Sequence, residues 1–491
     1  MEKKESMAMK NSNTKFETIP EIFNKAVEQY GSKVSMRTKD LGLWHEITWN
    51  EYYGKARKIG SALASMGFEK GDSAGIIGDN CFEWVMADMG IQCIGGVSVG
   101  IYSTNAWQQV EYVVDHCDAK FLFVENEEQL DKWLMFRDNT PLLQKVIIWD
   151  TKGLSAFKDP MVMTFDQLLE KGTNVCEEQP NLFEDMQNRV TPDDLAVIIY
   201  TSGTTGPPKG AMLTHKNVTW MPVAIESTVR IYKRDNVLSF LPLCHIFERL
   251  FSVFIHLKFA YIVNFVEKPD TVTQNMMEVS PTIGYGVPRI WEKYYSSIII
   301  KMDDATWLKR NIFRAALKIG QKRADCIMNF KTPSLFNNVL YNIAWFTVFR
   351  KLKERLGFEN MRVALSGAAP ISQEVLRFYQ SIGINLIEVY GQTEGTAGAT
   401  LSPEKGTKFG TVGKALTDID IKIAEDGEIL VRSPGVFKGY YKSQKATDET
   451  IVDGWLLTGY IFKNPSSSIS PTSPVKSHPS TMVSSVAFLA L

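Results

Sequence analysis

The sequence has few cysteines and no excess of charge of either sign. Its six cysteines are scattered over 491 residues and form no CxxC pair. This spacing argues against a disulfide framework or a cysteine-based zinc site, and it favours reduced thiols in the cytoplasm. Lys plus Arg number 54 and Asp plus Glu 55, so the formal net charge is −1. This overall balance gives no reason to expect nucleic acid or an anionic membrane as a partner.

Long hydrophobic runs are also missing. Residues 1–15 are polar and charged, without the apolar segment of a secretory signal. The most apolar long stretch, Leu250 to Val266, contains His256, Lys258 and Asn264 and falls short of a membrane span. We predict that it forms a buried helix followed by a buried strand. A cytoplasmic protein is expected, with peripheral contact with a membrane as an open alternative.

Most of the chain shows short apolar runs that alternate with helical patterns. This alternation predicts an α/β fold with mainly parallel strands. At 491 residues, the chain has room for about three domain-sized units. The predicted strands include 74–77, 96–100, 121–124, 145–148, 195–200, 237–241, 261–265, 283–287, 361–366 and 385–390.

The pattern changes from about residue 410 onwards. Two strand-like runs, Asp418 to Ile423 and Gly427 to Val431, are separated by a turn signal at 425–427, which predicts a small antiparallel β-unit. Residues 464–481 then hold seven Ser and four Pro. A segment of this composition buries too little apolar surface to fold, so we predict a disordered tail over 461–491.

A hydroxyl-rich loop follows the apolar strand pattern that ends at Ile199. Its glycines permit tight turns that bring backbone N–H groups towards an anion, and Lys209 adds a positive charge. The spacing differs from the GxxxxGK[ST] pattern, but the strand, hydroxyls and lysine together favour a polyphosphate site over a flexible surface loop. The candidate binding residues here are Thr201, Ser202, Gly203, Thr204, Thr205 and Gly206.

Two further turns follow apolar strands and are candidates for binding a purine base. Gly367, Ala368 and Ala369 have small side chains that let a flat base lie close to the backbone. Tyr390 ends an apolar strand pattern, where its ring could stack on adenine, and Gly391 permits close approach. Ligands commonly bind at the carboxyl ends of strands in open α/β sheets.

The chain resembles the adenylate-forming superfamily, which contains acyl-CoA synthetases and luciferases. The LPLxHxxER and GVPRxWEK forms are similar to the long-chain fatty acyl-CoA synthetase branch. Six ordered motifs make chance agreement negligible. They are Tyr200 to Gly210, Leu241 to Arg249, Gly286 to Lys293, Ser366 to Pro370, Tyr390 to Glu394 and Asp453 to Gly459.

The resemblance implies an AMP-dependent ligase large domain over residues 1–460. It would comprise two α/β subdomains at about 16–190 and 191–409 and a small distorted β-barrel at 410–460. The implied reaction joins a fatty acid to coenzyme A in two steps. The fatty carboxylate attacks Mg·ATP to give acyl-AMP and pyrophosphate, and the thiol of coenzyme A then displaces AMP. The sequence does not indicate the chain length of the acid or the oligomeric state.

The resemblance also assigns catalytic roles to Lys209, His245, Thr393 and Glu394. Lys209 and Thr393 would contact phosphate, and Glu394 together with Thr205 would hold Mg²⁺, which prefers oxygen ligands. His245 would border the acyl carboxylate and the α-phosphate, although a lone histidine is more often a packed residue.

Neighbouring motif residues have simpler explanations that stay open. A local ion pair accounts for Glu248 and Arg249 as well as a functional role does. For Arg289 and Trp291, a structural role is as good an interpretation as lining of an acyl pocket. Trp220 is expected in the core.

The chain departs from the family pattern at its end. Family members have Thr-Gly-Asp where this chain has Thr458-Gly459-Tyr460. The missing carboxylate normally accepts bonds from the ribose hydroxyls, and each lost bond costs about 1.5–3 kcal/mol, about tenfold or more in ATP affinity.

The Ser/Pro-rich composition after residue 460 leads us to expect that the family's C-terminal lid domain is absent and that thioester formation is severely reduced, as in a truncated or frameshifted gene copy. Two alternatives are a non-catalytic remnant that binds nucleotide and fatty acid, and an interaction protein that uses the tail.

Overall fold

The structure is a computed structural model that describes residues 16–201, 206–328, 331–403 and 411–461. Residues 202–205 of the predicted phosphate loop and, apart from Ile461, the predicted tail lie outside the described residues.

The described residues form strands and helices in alternation through most of the chain. The strands are β1 (Val34–Asp40), β2 (Leu43–Thr48), β3 (Ser73–Ile77), β4 (Val97–Ile101), β5 (Ala119–Val124), β6 (Lys145–Ile148), β7 (Val162–Thr164), β8 (Leu195–Thr201), β9 (Lys209–Thr214), β10 (Asn236–Ser239), β11 (Ile262–Phe265), β12 (Ile283–Gly286), β13 (Val363–Ser366), β14 (Leu386–Tyr390), β15 (Thr400–Leu401), β16 (Lys414–Ala415), β17 (Asp420–Ile423), β18 (Glu428–Arg432), β19 (Gly439–Tyr440), β20 (Ile451–Val452) and β21 (Trp455–Ile461).

The helices complete the alternation. They are α1 (Ile19–Tyr30), α2 (Trp49–Ser65), α3 (Phe82–Cys93), α4 (Trp107–His116), α5 (Glu127–Leu134), α6 (Phe165–Glu178), α7 (Leu182–Gln187), α8 (His215–Glu226), α9 (Ile246–Arg249), α10 (His256–Phe259), α11 (Val272–Val279), α12 (Pro288–Asp303), α13 (Trp307–Met328), α14 (Leu335–Ala344), α15 (Arg350–Leu356), α16 (Gln373–Ser381) and α17 (Gln444–Thr450). Two π-helical segments, Leu250–Ile255 and Trp345–Phe349, and two short 3₁₀ segments, Pro269–Thr271 and Thr393–Gly395, add to these.

Local sequence explains where several helices begin. Thr18 and Thr48 each cap a helix, and the Glu three residues later hydrogen-bonds back to the backbone N–H of the capping threonine. Such reciprocal caps satisfy N–H groups that a helix start leaves without partners.

The largest sheet has eight strands in the order β19-β9-β8-β4-β3-β5-β6-β7. The six strands from β8 to β7 pair in parallel, and β9 and β19 continue antiparallel at one edge. All residues of β3 and β4 are buried. A strand buried on both faces is apolar throughout, which is why the sequence shows continuous runs here instead of alternation.

Two further sheets carry strands from distant parts of the chain. One has the order β10-β11-β1-β2 and the other β12-β13-β14-β15-β16. The backbone N–H of Thr282 donates to the carbonyl of Asn236 (3.2 Å), which joins the start of β10 to the segment before β12. The first of these sheets therefore combines β1 and β2 with strands that follow residue 230.

The small antiparallel unit has the strand order β17-β18-β21-β20. The predicted turn between β17 and β18 is present, with Gly427 at a φ of +88°. The predicted fold class, α/β with mainly parallel sheets and a small antiparallel unit, is confirmed.

The apolar stretch Leu250 to Val266 is largely buried, as predicted. It forms a π-helical segment, then α10, then β11. None of the helices in the described residues is both long and apolar enough to cross a membrane. All six cysteines are free thiols.

Candidate active site

Two of the predicted charged residues lie on either side of one tyrosine ring. Lys209 is the first residue of β9, and its Nζ lies 5.1 Å from the centroid of the Tyr440 ring. The hydroxyl of Tyr440 donates a hydrogen bond of 2.6 Å to Oε1 of Glu394. A cation over the ring face and a carboxylate at the hydroxyl are both favourable contacts. Tyr440 therefore joins Lys209 and Glu394 into one cluster.

The backbone around Tyr440 is held in place by two neighbouring segments. Strand β19 pairs with β9, with Tyr440 opposite Ala211. The N–H of Tyr440 donates to Oγ1 of Thr447 (2.9 Å), and the N–H of Phe437 donates to the carbonyl of Glu394 (2.8 Å). Segment 437–440 thus binds Glu394 through both backbone and side chain.

Sequence analysis did not identify Tyr440 as a site residue. The available signal was the Gly-Tyr-Tyr run at 439–441, 46 residues from Glu394. Burial and the negative charge of Glu394 raise the pKa of Tyr440, so its hydroxyl is a protonated donor near neutral pH.

The predicted adenine-stacking residue, Tyr390, ends strand β14. Its ring meets the ring of Tyr460 edge to face, with centroids 5.6 Å apart and an interplanar angle of 90°. Burial raises the pKa of both tyrosines, and the charge of Glu394 adds to the effect at Tyr460. The position where this chain departs from the family pattern therefore lies directly against Tyr390.

The turns after β13 and β14 leave the same edge of one sheet. These strands are parallel, with Ser366 opposite Glu388. Ala368 is exposed and adopts a φ of +69°, a region that L-residues rarely occupy. At Gly391 a Cβ would lie 2.3 Å from the carbonyl oxygen of Ala397, so this turn requires glycine.

The other residues of these two turns have less restricted surroundings. A Cβ at Gly367 would make ordinary contact with Phe247, at 3.4 Å. Ala369 is exposed. Thr393 is buried and begins the 3₁₀ turn that carries Glu394.

The structure places only part of the predicted phosphate loop. Thr201 pairs with Lys209 at the loop end of the β8–β9 hairpin, and Gly206 adopts a φ of +105°. Ser202, Gly203, Thr204 and Thr205 lie outside the described residues, so the predicted metal ligand Thr205 is not placed.

His245 caps helix α9 at a distance from the cluster around Tyr440. Its Nδ1 accepts a hydrogen bond from the N–H of Phe247 (3.1 Å), and burial lowers the pKa of its imidazole. Within the described residues, no contact joins His245 to Lys209 or Glu394. Phe247 lies beside Gly367, so the His245 loop borders the turn after β13.

Glu248 and Arg249 do not form the local ion pair considered as an alternative. Arg249 pairs with Asp88 of α3 and donates to Oγ of Ser98 (2.8 Å). Adjacent residues of a helix point in directions about 100° apart, so the two side chains enter different surroundings.

Glu248 is fully buried in a cluster of hydroxyl groups. Its Oε1 accepts hydrogen bonds from Oγ of Ser239 (2.6 Å), Oγ of Ser252 (2.6 Å) and the hydroxyl of Tyr285 (2.8 Å). Burial nevertheless raises the pKa of Glu248 to about 7.

Both tryptophans considered in the sequence analysis are packed inside the protein. Trp291 is buried, and its Nε1 donates to the carbonyl of Leu365 (3.3 Å). Trp220 is buried in the core, as expected. Arg289 is exposed.

A small apolar cavity lies behind the turns after β13 and β14. It has room for about one water molecule, so an acyl chain would need the lining side chains to move apart. Its lining includes Ile225, Phe247, Phe251, Leu365, Val389 and Leu401.

A family model described as AMP-binding enzyme matches residues 23–441. The chain belongs to the AMP-binding enzyme family. The long-chain-fatty-acid–CoA ligase ACSBG2 of Xenopus laevis is 32% identical over 461 residues, which cover 91% of this chain and 61% of that protein. Human long-chain-fatty-acid–CoA ligase ACSBG2 is 32% identical over 454 residues, which cover 90% of this chain and 67% of that protein. This chain thus spans about three fifths to two thirds of the length of these relatives.

The fold of this family member is also found among solved structures. The crystal structure of the anthranilate CoA ligase AuaEII in complex with anthranoyl-AMP matches with a TM-score of 0.70 and 18% identity, over 93% of this chain and 77% of that chain. At this identity, the match shows a shared fold.

Proposed function

We propose that this AMP-binding enzyme activates a long-chain fatty acid with ATP and transfers it to coenzyme A. The observation that supports this best is the joining of Lys209 and Glu394 through Tyr440, next to the turn that carries Tyr390. The named relatives are long-chain-fatty-acid–CoA ligases, which agrees with this substrate class.

The cluster suits a site where phosphate charge is neutralised and a leaving group is aligned. In our proposal, the ammonium group of Lys209 faces the phosphates, the ring of Tyr390 stacks on adenine, and Gly391 lets the base approach the backbone. Fixed charges and dipoles aimed at the developing charge supply most of the rate enhancement in such reactions. Pyrophosphate is the leaving group of the first step.

The residues present fit a magnesium ion shared with the nucleotide. Oε1 of Glu394 accepts from Tyr440, while Oε2 has no recorded partner in the described residues and stays available to a cation. The described residues contain no group of three metal-ligating side chains, which fits an ion held partly by phosphate oxygens. When bound, Mg²⁺ would neutralise negative charge on the phosphates.

His245 belongs to the acyl side of the proposed reaction. In our proposal, a neutral imidazole beside the turn after β13 positions the fatty acid's carboxylate. It does so without an ion pair, which would stabilise the bound substrate before it reacts. The hydrocarbon chain would enter apolar surroundings, where each buried CH₂ contributes about 0.8 kcal/mol.

The division into subdomains at residues 190 and 410 and the cytoplasmic location stay proposals.

A second candidate function is nucleotide and fatty acid binding without adenylation. One observation favours it: Tyr460 stands against Tyr390 in place of the carboxylate that the family pattern has there. A phenol is bulkier than a carboxylate and cannot accept from two ribose hydroxyls at once.

The deciding experiment is oleate-dependent exchange of labelled pyrophosphate into ATP by the full chain. We expect measurable exchange that Lys209→Ala and Glu394→Gln each reduce by at least about tenfold, as loss of a charge-assisted contact predicts. Lys438→Ala removes an exposed lysine of the neighbouring segment and serves as the matched control.

Two outcomes would count against the proposal. ATP binding without any exchange would establish the binding-only function. Exchange that both site variants leave at the wild-type rate would remove the cluster from the reaction.

A further inference from the structure

The helical segment between β12 and β13 exposes an unusual amount of apolar surface. It comprises α12 to α15, and half of the large exposed apolar side chains in the described part of the chain lie between residues 300 and 346. A concentration of this kind usually marks an interaction site. These side chains belong to Ile300, Trp307, Leu308, Ile312, Leu335, Phe336, Val339, Ile343 and Phe346.

Helix α14 and the π-helical segment that follows it have two apolar faces. The inner face carries Tyr341, Ala344 and Phe349, which are buried. The guanidinium group of Arg323, on α13, lies 4.3 Å from the centroid of the Tyr341 ring, so α14 rests on α13.

The outer apolar face of α14 is exposed to solvent. Its residues recur at intervals of three and four, which places them on one side of the helix. Phe336 is 71% exposed and Leu335 86%. The run 332–349 contains no charged residue at all. We call the surface formed by Leu335, Phe336, Val339, Ile343 and Phe346 the α14 face.

The segment that carries the α14 face is rich in positive charge. Residues 301–355 hold twelve Lys and Arg against four Asp and Glu, a net charge of +8 in a chain whose total is −1. No ion pair is recorded within the described residues for Lys309, Lys318, Lys322 or Lys351. These lysines are therefore available to an anionic partner.

We propose that the α14 face docks on the surface of a membrane that contains anionic lipid. An exposed apolar helix face in a lysine-rich segment is the pattern of a helix that lies in the interface between headgroups and acyl chains. Aromatic side chains favour this depth, and unpaired lysines favour anionic headgroups. The described residues offer no spanning helix, so the contact is with the surface. The proposal stands apart from the ligase chemistry.

Flotation of the full chain with lipid vesicles tests the proposal. One vesicle is pure phosphatidylcholine, and the other contains about 30% phosphatidylserine. We expect binding to the anionic vesicle at least about tenfold stronger than to the neutral one, because each lysine near such a surface contributes severalfold in affinity. High salt should weaken it.

Two variants and one control locate the binding surface. Phe336→Ser/Ile343→Ser removes exposed apolar groups and Lys318→Glu/Lys322→Glu reverses charge; each should reduce binding at least about tenfold. Leu41→Ser/Leu43→Ser changes two exposed leucines of the β1–β2 hairpin and should bind like the wild type. All three change exposed residues, and circular dichroism checks that they fold.

Three results would overturn the proposal. The first is a wild type that stays entirely in the unbound fraction. The second is binding of the α14-face variants equal to that of the wild type. The third comes from sedimentation without lipid: a dimer that Phe336→Ser/Ile343→Ser converts to a monomer, with no flotation of either protein, would assign the α14 face to a second copy of the chain.

Discussion

Tyr440 is the residue that organises the proposed phosphate site. Its ring lies beside the ammonium group of Lys209, and its hydroxyl binds the carboxylate of Glu394. The two charges of the proposed site therefore both contact one side chain, and the two contacts are of different kinds. Substitutions that remove one contact or both separate their contributions.

Tyr440→Phe keeps the ring beside Lys209 and removes the hydrogen bond to Glu394. We expect pyrophosphate exchange to fall by about tenfold at low Mg²⁺, since the carboxylate loses a bond worth about 1.5–3 kcal/mol. Higher Mg²⁺ should restore it in part. Tyr440→Leu also loses the ring contact, so Mg²⁺ should restore its activity less. Identical Mg²⁺ titrations of the two variants would show that the hydroxyl does not position Glu394.

Tyr460 is the second informative residue, because it replaces the expected carboxylate beside Tyr390. Tyr460→Asp should strengthen ATP binding by about tenfold or more, as one restored charge-assisted bond predicts. Calorimetry with ATP measures the change. Tyr460→Phe, which keeps the ring and supplies no acceptor, is the matched control. Equal affinities of the Asp and Phe variants would mean that this position does not face the ribose.

Sequence reasoning proposed Lys209, Glu394 and Tyr390 as site residues and did not include Tyr440, which contacts two of them in the structure. The first three lie in motifs that resemble those of a known family. Tyr440 acts through contacts that form only when β19 pairs with β9, and sequence spacing carries no signal for that pairing. The conformation of Ala368, with φ of +69°, could not be predicted from the sequence either, because alanine does not indicate a left-handed turn.

At the scale of elements, a buried ion pair joins α9 to α3. Arg249 and Asp88 both have fully buried side chains, and the guanidinium group also lies 5.0 Å from the ring centroid of Trp84. These contacts attach α9, the short helix that His245 caps, to α3 and, through the Arg249–Ser98 hydrogen bond, to β4 of the large sheet. Removing one partner leaves an unpaired charge in the interior.

Arg249→Met should lower the free energy of unfolding by about 3–5 kcal/mol, the usual cost of leaving one buried charge without its partner. Urea denaturation measures it. In Arg249→Met/Asp88→Leu no charge is left unpaired, and we expect most of the stability to return. A double variant as unstable as Arg249→Met would mean that the loss arises from packing.

Glu248 gives the same region a pH dependence. Burial raises its pKa in the folded protein from 4.5 to about 7, so the folded state holds a proton that the unfolded state releases. Its stabilising contribution is present in full below pH 4.5 and is lost as the pH rises through about 7. Glu248→Gln cannot ionise and lacks this contribution.

As the pH rises from 4.5 to 7, the unfolding free energy of the wild type should therefore fall relative to that of Glu248→Gln. Urea titrations across this range measure it, and Glu359→Gln, which changes an exposed carboxylate, should show no comparable shift. A constant difference for Glu248→Gln would contradict burial as the cause of the raised pKa.

Most parallel strands were predictable because burial on both faces makes them continuously apolar. Strand β6, at Lys145–Ile148, agrees residue by residue, and β14 differs by one residue from the predicted run. Strand β9 was not identified, since Lys209 and Gly210 at its start are poor strand residues and its pairing with β8 alone makes it a strand. Tertiary contact decides such elements.

At the scale of the whole molecule, the sheets combine strands that are far apart in sequence. Strand β1 pairs with β11, more than 200 residues later. The sequence predicted β11 but had no means to predict this pairing, because pairing across long loops depends on how whole layers pack. The expectation of impaired thioester formation rests on the family resemblance and stays a prediction.

Photolabelling with 8-azido-ATP tests most directly whether the turns after β8, β13 and β14 form one nucleotide site. The account predicts that labelled peptides contain Ala368 or Tyr390 and that unlabelled ATP and an acyl-AMP analogue both protect them. Labels confined to peptides away from these turns, with the same protection by ATP, would contradict it.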